Sequence, residues 1–499
     1  MNITLEERQG VRRDLGLLVG LGLLCRLFFL LAMPRVLDTA DAIHYVETAQ
    51  HLATGDFFGY DPKIPVLYPL LAAAAHLLIP DLEWACRMVS FVASVLVVAP
   101  LYLLARDLFG RRPAQMGALT AAIWPWLADY GCRVSTEATA VWWWFLGVWL
   151  LARALRGGRW ATLGAPVAFF ALHLTRPEGL FILLCAPVAG LLLCCGDERR
   201  ARWRLVPFGV ICGGLLLLNA VYVRALTGNV TANYRVGFIL EEFDLLRFAH
   251  TSLQTLTDVF PVMLGPVLFL FLGVGLFHRG VESPDSSLKT PDFRLERYLL
   301  VFVLAQWAVS LFVLSPAPRY LMAPLMALAL WSARGMVVVS RQAAAVRWGR
   351  VLRWAPVGAM VGMMAVHTAV TVGSEHLGRR PREPREYKTA GLWMKEHLDP
   401  GLVFCRKPQI GYYAGMPSTG PALEDTVAEA VVRAQCAGAR YFVVDERYTA
   451  SDAPALRPLL DPSQAPPALR LLQGFAPYPE SRVVVYELAQ GPARATPGP

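Results

Sequence analysis

An acid-bearing loop, a lysine between prolines, and two arginines beside acidic or aromatic neighbours are the places where this chain could do chemistry. The loop reads Asp38-Thr-Ala-Asp41-Ala-Ile-His44-Tyr45-Val-Glu47 and directly follows an apolar run. On a helix from Asp41, Tyr45 follows one turn later on the same face. A carboxylate there suits a general base acting on an acceptor hydroxyl. The same residues also suit a plain helix start, with Asp38 as N-cap and Asp41 as a first-turn acid. Next comes Lys63-Ile-Pro65-Val-Leu-Tyr68-Pro69. Prolines fix the backbone beside the lysine, which can pair with a lipid phosphate or simply snorkel at an interface. Glu137 opens an apolar run behind Ser135-Thr136, either as a capping acid or as an ionisable group at a membrane edge, a functional candidate by position. Arg176-Pro177-Glu178-Gly179 interrupts two apolar runs and places an arginine and an acid within pairing reach. Arg319-Tyr320 precedes another run. Trp142-Trp143-Trp144 reads as an interfacial belt rather than a sugar platform. His44, His51, His76 and His173 show no metal-ligand spacing, and the nine cysteines give no CxxC and no zinc pattern.

These residues have to be positioned by a membrane bundle. Of 499 residues, 55% are hydrophobic and only 17% charged, where a soluble chain carries roughly 25%. Mean hydropathy is +0.43. A span takes about 20 apolar residues, and runs of suitable character lie at 14–33, 84–105, 114–130, 137–153, 160–174, 178–195, 205–225, 256–277, 298–314, 319–338 and 354–373. The shorter run 64–79 reads as a juxtamembrane or re-entrant helix. The first run, with no small-residue cleavage site after it, reads as a retained helix. The net charge of +9 sits at run ends, as in Arg111-Arg112 and Arg199-Arg200. That is a topology signal, not a nucleic-acid footprint. With a cytoplasmic N-terminus, the Lys/Arg-rich segments 1–13, 106–113, 154–159, 196–204, 278–297 and 339–353 all fall inside. The segments 34–83, 129–137, 175–178, 226–255 and 315–320 then fall outside, together with everything after about 376. The chemically interesting residues are sorted to that outer side.

Residues 376–490 read as a small α/β domain, and 491–499 as a disordered tail. A helix is predicted over 385–398, a strand at Leu402–Cys405, a helix over 422–437 ended by Gly438, and strands at Tyr441–Val444 and Arg482–Tyr486. Cys405 and Cys436 are the two cysteines of this domain, and a disulfide between them is open to an exported domain. The fold class expected is therefore an all-α polytopic membrane domain over 1–375 with a C-terminal α/β domain.

Taken jointly, the Asp41-x-x-x-Tyr45 loop, Lys63-x-Pro65-x-x-Tyr68, Glu137 at a span start, the Arg176-Pro177 turn, Arg319-Tyr320 and the polar C-terminal domain resemble the GT-C glycosyltransferases. The likeness is to the bacterial branch related to protein O-mannosyltransferases and lipid A aminoarabinose transferases. The resemblance implies a multi-pass enzyme of the bacterial cytoplasmic membrane that moves a sugar from a polyprenyl-phosphate carrier. Its acceptor would be a lipid, polysaccharide or protein outside the cytoplasm. It implies Asp41 as the catalytic carboxylate, Asp38 as the fallback and Glu137 as the second outer acid. Lys63, Arg319, Tyr320 and Arg176 would lie near the donor phosphate, and Tyr45, His44 and Tyr68 near the substrate. Many relatives carry an acid directly after the first; here Ala42 stands there. No cofactor is required, because cations can neutralise the departing phosphate, although an acid pair such as Asp41 with Glu137 leaves a divalent metal open. The rival readings are a transporter or lipid flippase, and a metal-dependent oligosaccharyltransferase-like enzyme.

Overall fold

The computed structural model describes residues 5–193, 203–228, 245–278, 293–313, 318–344, 349–377 and 381–489. The tail expected to be disordered, Cys194 and Cys195 lie outside them. The chain forms two compact units. One comprises Met1–Leu31 and Tyr45–Ala369, the other Ala32–His44 and Val370–Pro499. The stretch leading to Asp41 thus groups with the C-terminal domain, which the composition shift near residue 375 does not reveal.

The first unit is helical. Its elements are α1 (Leu5–Ala32), α2 (Ala40–Ala53, entering from the other unit), α3 (Leu67–His76), α4 (Leu82–Leu96), α5 (Val98–Phe109), α6 (Arg111–Ile123), α7 (Pro125–Gly131), α8 (Glu137–Leu155), α9 (Arg159–Thr175) and α10 (Gly179–Leu193). They continue with α11 (Leu205–Thr227), α12 (Leu245–Gln254), α13 (Phe260–Phe277), α14 (Phe293–Val313), α15 (Met322–Ala344), α16 (Gly349–Leu352) and α17 (Ala355–His376). Among the described residues, seven stretches are long and apolar enough to cross a membrane: Glu6–Ala32, Leu82–Phe109, Glu137–Leu155, Leu205–Thr227, Ala249–Phe277, Arg319–Ala344 and Ala355–His376. The chain is a multi-pass membrane protein. The runs predicted at 160–174, 178–195 and 298–314 fall on α9, α10 and α14, and α3 is a ten-residue helix too short to span.

The run 114–130 is not one helix. Pro125 has no N–H to give to Ala121, and the residue before it, Trp124, is extended (φ −70°, ψ 115°), so α6 stops and α7 restarts. The freed carbonyls are taken by Arg26 of α1, which is fully buried. Its Nη2 donates to Ala121 O at 2.8 Å and its Nη1 to Ala122 O. Lower on the same helix, buried Asp14 accepts from Tyr102 Oη at 2.7 Å and from Arg111 Nε at 2.7 Å. α1 is therefore bolted into the bundle at two levels. α13 and α15 cross backbone to backbone: a Cβ on Gly275 would meet Trp331 O at 1.9 Å, and one on Gly335 would meet Phe271 O at 2.1 Å. The core includes Phe145, Phe169, Tyr298 and Phe302. Trp144 belongs to it too, packed on Phe145 and Phe302. It sits two turns inside α8 and not in an interfacial belt, a role left to the half-buried Trp142 and Trp143.

The second unit is a five-stranded sheet flanked by helices. Its elements are α18 (Arg385–His397), β1 (Val403–Cys405), α19 (Gln409–Ala414), β2 (Ser418–Thr419), α20 (Val427–Cys436), β3 (Tyr441–Asp445), α21 (Glu446–Asp452), β4 (Leu469–Phe475) and β5 (Val483–Leu488). The order is β2-β1-β3-β5-β4, parallel across the first three strands and antiparallel across the last three. α20 begins at 427 and not at 422, because Thr426 and Glu429 form a capping box that sets the start. Cys405 and Cys436 are both free. Cys405 points into the core shared with α18 and α19, while α20 packs on the opposite face of the sheet, so the two sulfurs cannot meet. The loop before α2 is held here: Tyr413 Oη accepts the Leu37 N–H at 2.8 Å, and Lys388 Nζ donates to Arg35 O at 2.8 Å.

Candidate active site

The polar residues of the first unit converge on the turn between α9 and α10. Arg176 leaves α9 in an extended conformation, forced by Pro177, and its side chain turns inward. Nη1 reaches Glu137 Oε1 at 2.9 Å, and Nε bonds Glu178 Oε1. Both acids are nearly buried. The guanidinium also lies over the Tyr320 ring, 4.7 Å from its centroid. Arg319 approaches the same ring at 5.0 Å and donates from Nη2 to Tyr320 Oη at 3.0 Å. Burial works against the Arg176 charge, but Glu178 and Glu137 outweigh it and hold its pKa well above the ordinary guanidinium value. A narrow cavity of about 20 Å³ opens between these groups, walled by Trp144, Leu172 and Gln306. That is room for about one water.

Glu137 is placed by a staked turn. Tyr68, fully buried on α3, accepts the Ser135 N–H at 3.1 Å and donates to Cys86 O at 2.8 Å. Ser90 Oγ donates to Ser135 O at 2.9 Å, and Arg87 Nη1 to Cys132 O at 2.9 Å. α8 then starts at Glu137 with no side-chain cap from Thr136, which frees the Glu137 carboxylate for Arg176. Tyr45 packs edge-on against Tyr68, with ring centroids 5.3 Å apart, and is close enough to act on the Arg176 charge.

Of the residues singled out in the sequence, the fold thus gathers Tyr45, Tyr68, Glu137, Arg176, Arg319 and Tyr320. Tyr68 is corrected in role: its hydroxyl is occupied by protein partners, so it positions Tyr45 and the turn before Glu137 and does not face substrate. Arg176 is likewise engaged, with two of its nitrogens bonded to acids. Asp38, Asp41 and His44 belong to the second unit. Asp41 lies exposed in the first turn of α2, one turn before Tyr45. Asp38 is not the N-cap; Thr39 is, its Oγ1 accepting from the Ala42 N–H at 3.2 Å. Lys63 stands exposed in a turn whose backbone is fixed by Asp61 Oδ1, 2.9 Å from the Lys63 N–H. Sequence reasoning missed Gln306, buried on α14; a glutamine inside an apolar run was the available signal.

The bundle has the fold of the GT-C glycosyltransferases. The family described as dolichyl-phosphate-mannose-protein mannosyltransferase matches residues 63–224, a stretch that contains Lys63, Glu137 and Arg176. The fold recurs in ArnT from Cupriavidus metallidurans, solved in the apo state and bound to undecaprenyl phosphate. Both are 14% identical, at TM-scores of 0.61 and 0.60, covering 94% of this chain and 97% of that one. It recurs also in the Archaeoglobus fulgidus oligosaccharyltransferase, 14% identical at a TM-score of 0.60, covering 88% of this chain and 70% of that one. No curated protein matches the chain in sequence. The chain thus shares its fold with membrane glycosyltransferases, and about a third of it matches the mannosyltransferase family model.

Proposed function

We propose that the chain transfers a sugar from a polyprenyl-phosphate-linked donor to an acceptor hydroxyl on the outer side of a bacterial cytoplasmic membrane, where the C-terminal domain also lies. The observation that carries this reading is the cluster of Glu137, Arg176, Glu178, Arg319 and Tyr320 at the ends of apolar helices in a GT-C fold. Asp41 takes the proton of the acceptor hydroxyl. The acceptor oxygen attacks the anomeric carbon as its bond to the phosphate breaks, which inverts the configuration. Charge grows on the departing lipid phosphate, and Arg319 and Lys63 stabilise it. Arg176, already bonded to Glu137 and Glu178, holds the Tyr320 ring that carries Arg319.

The mechanism takes no metal. Arg319 and Lys63 supply the positive charge for the departing phosphate, and Glu137 is bonded to Arg176. The second reading, metal-dependent transfer, is favoured by the likeness to the oligosaccharyltransferase, one structure of which is a complex with Zn and sulfate. Sugar release from a panel of labelled polyprenyl-phosphate sugars, with purified protein in nanodiscs, tests both. Wild type should turn over one donor, Asp41→Asn should lose at least a hundredfold, and EDTA should change nothing. Full activity in Asp41→Asn removes the assigned base. Loss with EDTA, restored by a divalent ion, favours the second reading. Scrambling of the donor lipid without sugar release makes the protein a flippase.

A further inference from the structure

A charged cavity lies at the far end of α8 from Glu137. It has a volume of about 520 Å³ and is lined by Arg8 and Arg12 of α1, Arg106 and Asp107 of α5, Trp149 and Arg153 of α8, and Arg156 with Gly157 and Gly158 in the turn that follows. Sixteen residues of helix separate Glu137 from Arg153, about 24 Å at roughly 1.5 Å per residue. That is close to the thickness of a bilayer's hydrocarbon core. Topology requires arginines at this level, but it does not require five of them, from three helices and a turn, to face one hollow.

Two acids of the described residues lie near these arginines. Glu7 lies 3.8 Å from Arg106, and Asp107 lies 4.0 Å from Arg153. Among the described residues Asp107 is the acid that lines the hollow, and its Oδ2 is buried with no hydrogen-bond donor among them. The turn adds to the positive field. Gly157 takes a left-handed φ of 96°, and α9 starts behind Gly158 with no side-chain cap, so the positive end of a 17-residue helix opens beside the arginines. Trp149 supplies an apolar, half-buried wall.

From this arrangement we infer that the cavity binds a phosphate ester, its phosphoryl oxygens taken by the arginines and a hydroxyl or ammonium on its other substituent donating to Asp107. Guanidiniums suit phosphate because they bind it bidentately. The unfilled Asp107 oxygen favours an ester with a donor group over bare phosphate. Such a ligand has two sources, a phospholipid headgroup of the adjacent leaflet or a water-soluble ester. The site is separate from the transfer cluster, and its test needs no sugar transfer.

Equilibrium binding to the full chain in a neutral detergent provides that test, with dihexanoyl phosphatidylglycerol and glycerol 1-phosphate as probes and inorganic phosphate as competitor. One equivalent of the lipid should bind, and Arg12→Gln with Arg156→Gln should weaken it at least tenfold. The charge-keeping pair Arg12→Lys with Arg156→Lys should stay within about fivefold, which separates lost recognition from lost folding. Binding of the lipid alone makes the source a headgroup; equal binding of glycerol 1-phosphate makes it a soluble ester. If neither probe binds, or if binding survives the double glutamine change, the inference is wrong.

Discussion

The two ends of α8 treat charge in opposite ways. At its first residue, Glu137 is nearly buried and closes on Arg176, which closes in turn on Glu178 and lies over Tyr320. At its last turn, Arg153 is half-exposed and lines an open hollow with four further arginines, with Asp107 Oδ2 4.0 Å away. One end has satisfied its charges within the protein and gains a fixed geometry. The other gathers like charges around an open hollow. A third arginine lies between these extremes: Arg26 is fully buried, and its hydrogen bonds go to two backbone carbonyls.

This comparison predicts different costs for removing an arginine at each level. The largest belongs to Arg176. Replacing it by Met leaves Glu137 and Glu178 buried beside each other, and breaking a buried pair in this way costs about 3–5 kcal/mol. Thermal unfolding in detergent should show a much lower midpoint for Arg176→Met, and sugar release should be lost with it. The partner measurement is Arg156→Met, where an exposed side chain changes and stability should stay within about 0.5 kcal/mol. Equal midpoints for the two variants would break the comparison at its base.

Arg26→Leu should fall in between. The leucine fills much of the space but donates nothing, so the Ala121 and Ala122 carbonyls are left buried and unbonded at the break made by Pro125. A cost of about 2–3 kcal/mol follows from the price of orphaned buried acceptors. A control sharpens the reading. If Pro125→Ala restores the helical N–H to Ala121, the same Arg26→Leu change should cost less in that background. An unchanged cost would mean that Arg26 acts through packing and not through the helix break.

How far these features were legible in the sequence depends on whether their cause was local. The apolar runs, the strands at Tyr441–Asp445 and Val483–Leu488 and the stop at Gly438 follow from composition and periodicity, and the structure has them. The Arg176–Glu178 pair was readable because only Pro177 stands between the partners. Glu137 with Arg176 was readable only as two residues sorted to one side, since their contact joins positions 39 apart. The break at Pro125 was signalled by the proline itself, but Arg26, 95 positions before the Ala121 carbonyl it serves, carried no local sign of being its partner. β4 was missed because Leu469–Phe475 is an edge strand with mixed exposure and no clean alternation. The arginine-lined hollow was seen only as topology. A Lys/Arg count per loop gives the side of the membrane and is blind to whether the side chains converge.

Ionic strength separates the two ends of α8 in a single preparation, with the smallest expected change at the outer one. Salt screens exposed charges over a Debye length of about 10 Å at 0.1 M and about 3 Å at 1 M, and reaches buried pairs far less. Between 0.05 M and 0.5 M NaCl (both set by the experimenter, about one decade apart), the phosphate-ester probe should leave the inner hollow with a loss of affinity of about tenfold or more. Over the same range the stability difference between wild type and Arg176→Met should move by less than about 0.5 kcal/mol, because that pair closes at 2.9 Å with 12% and 6% of its side chains exposed. If the Arg176 difference collapses with salt, water enters the outer cluster and its charges are not settled within the protein. If probe binding ignores salt, the inner arginines are not what holds it.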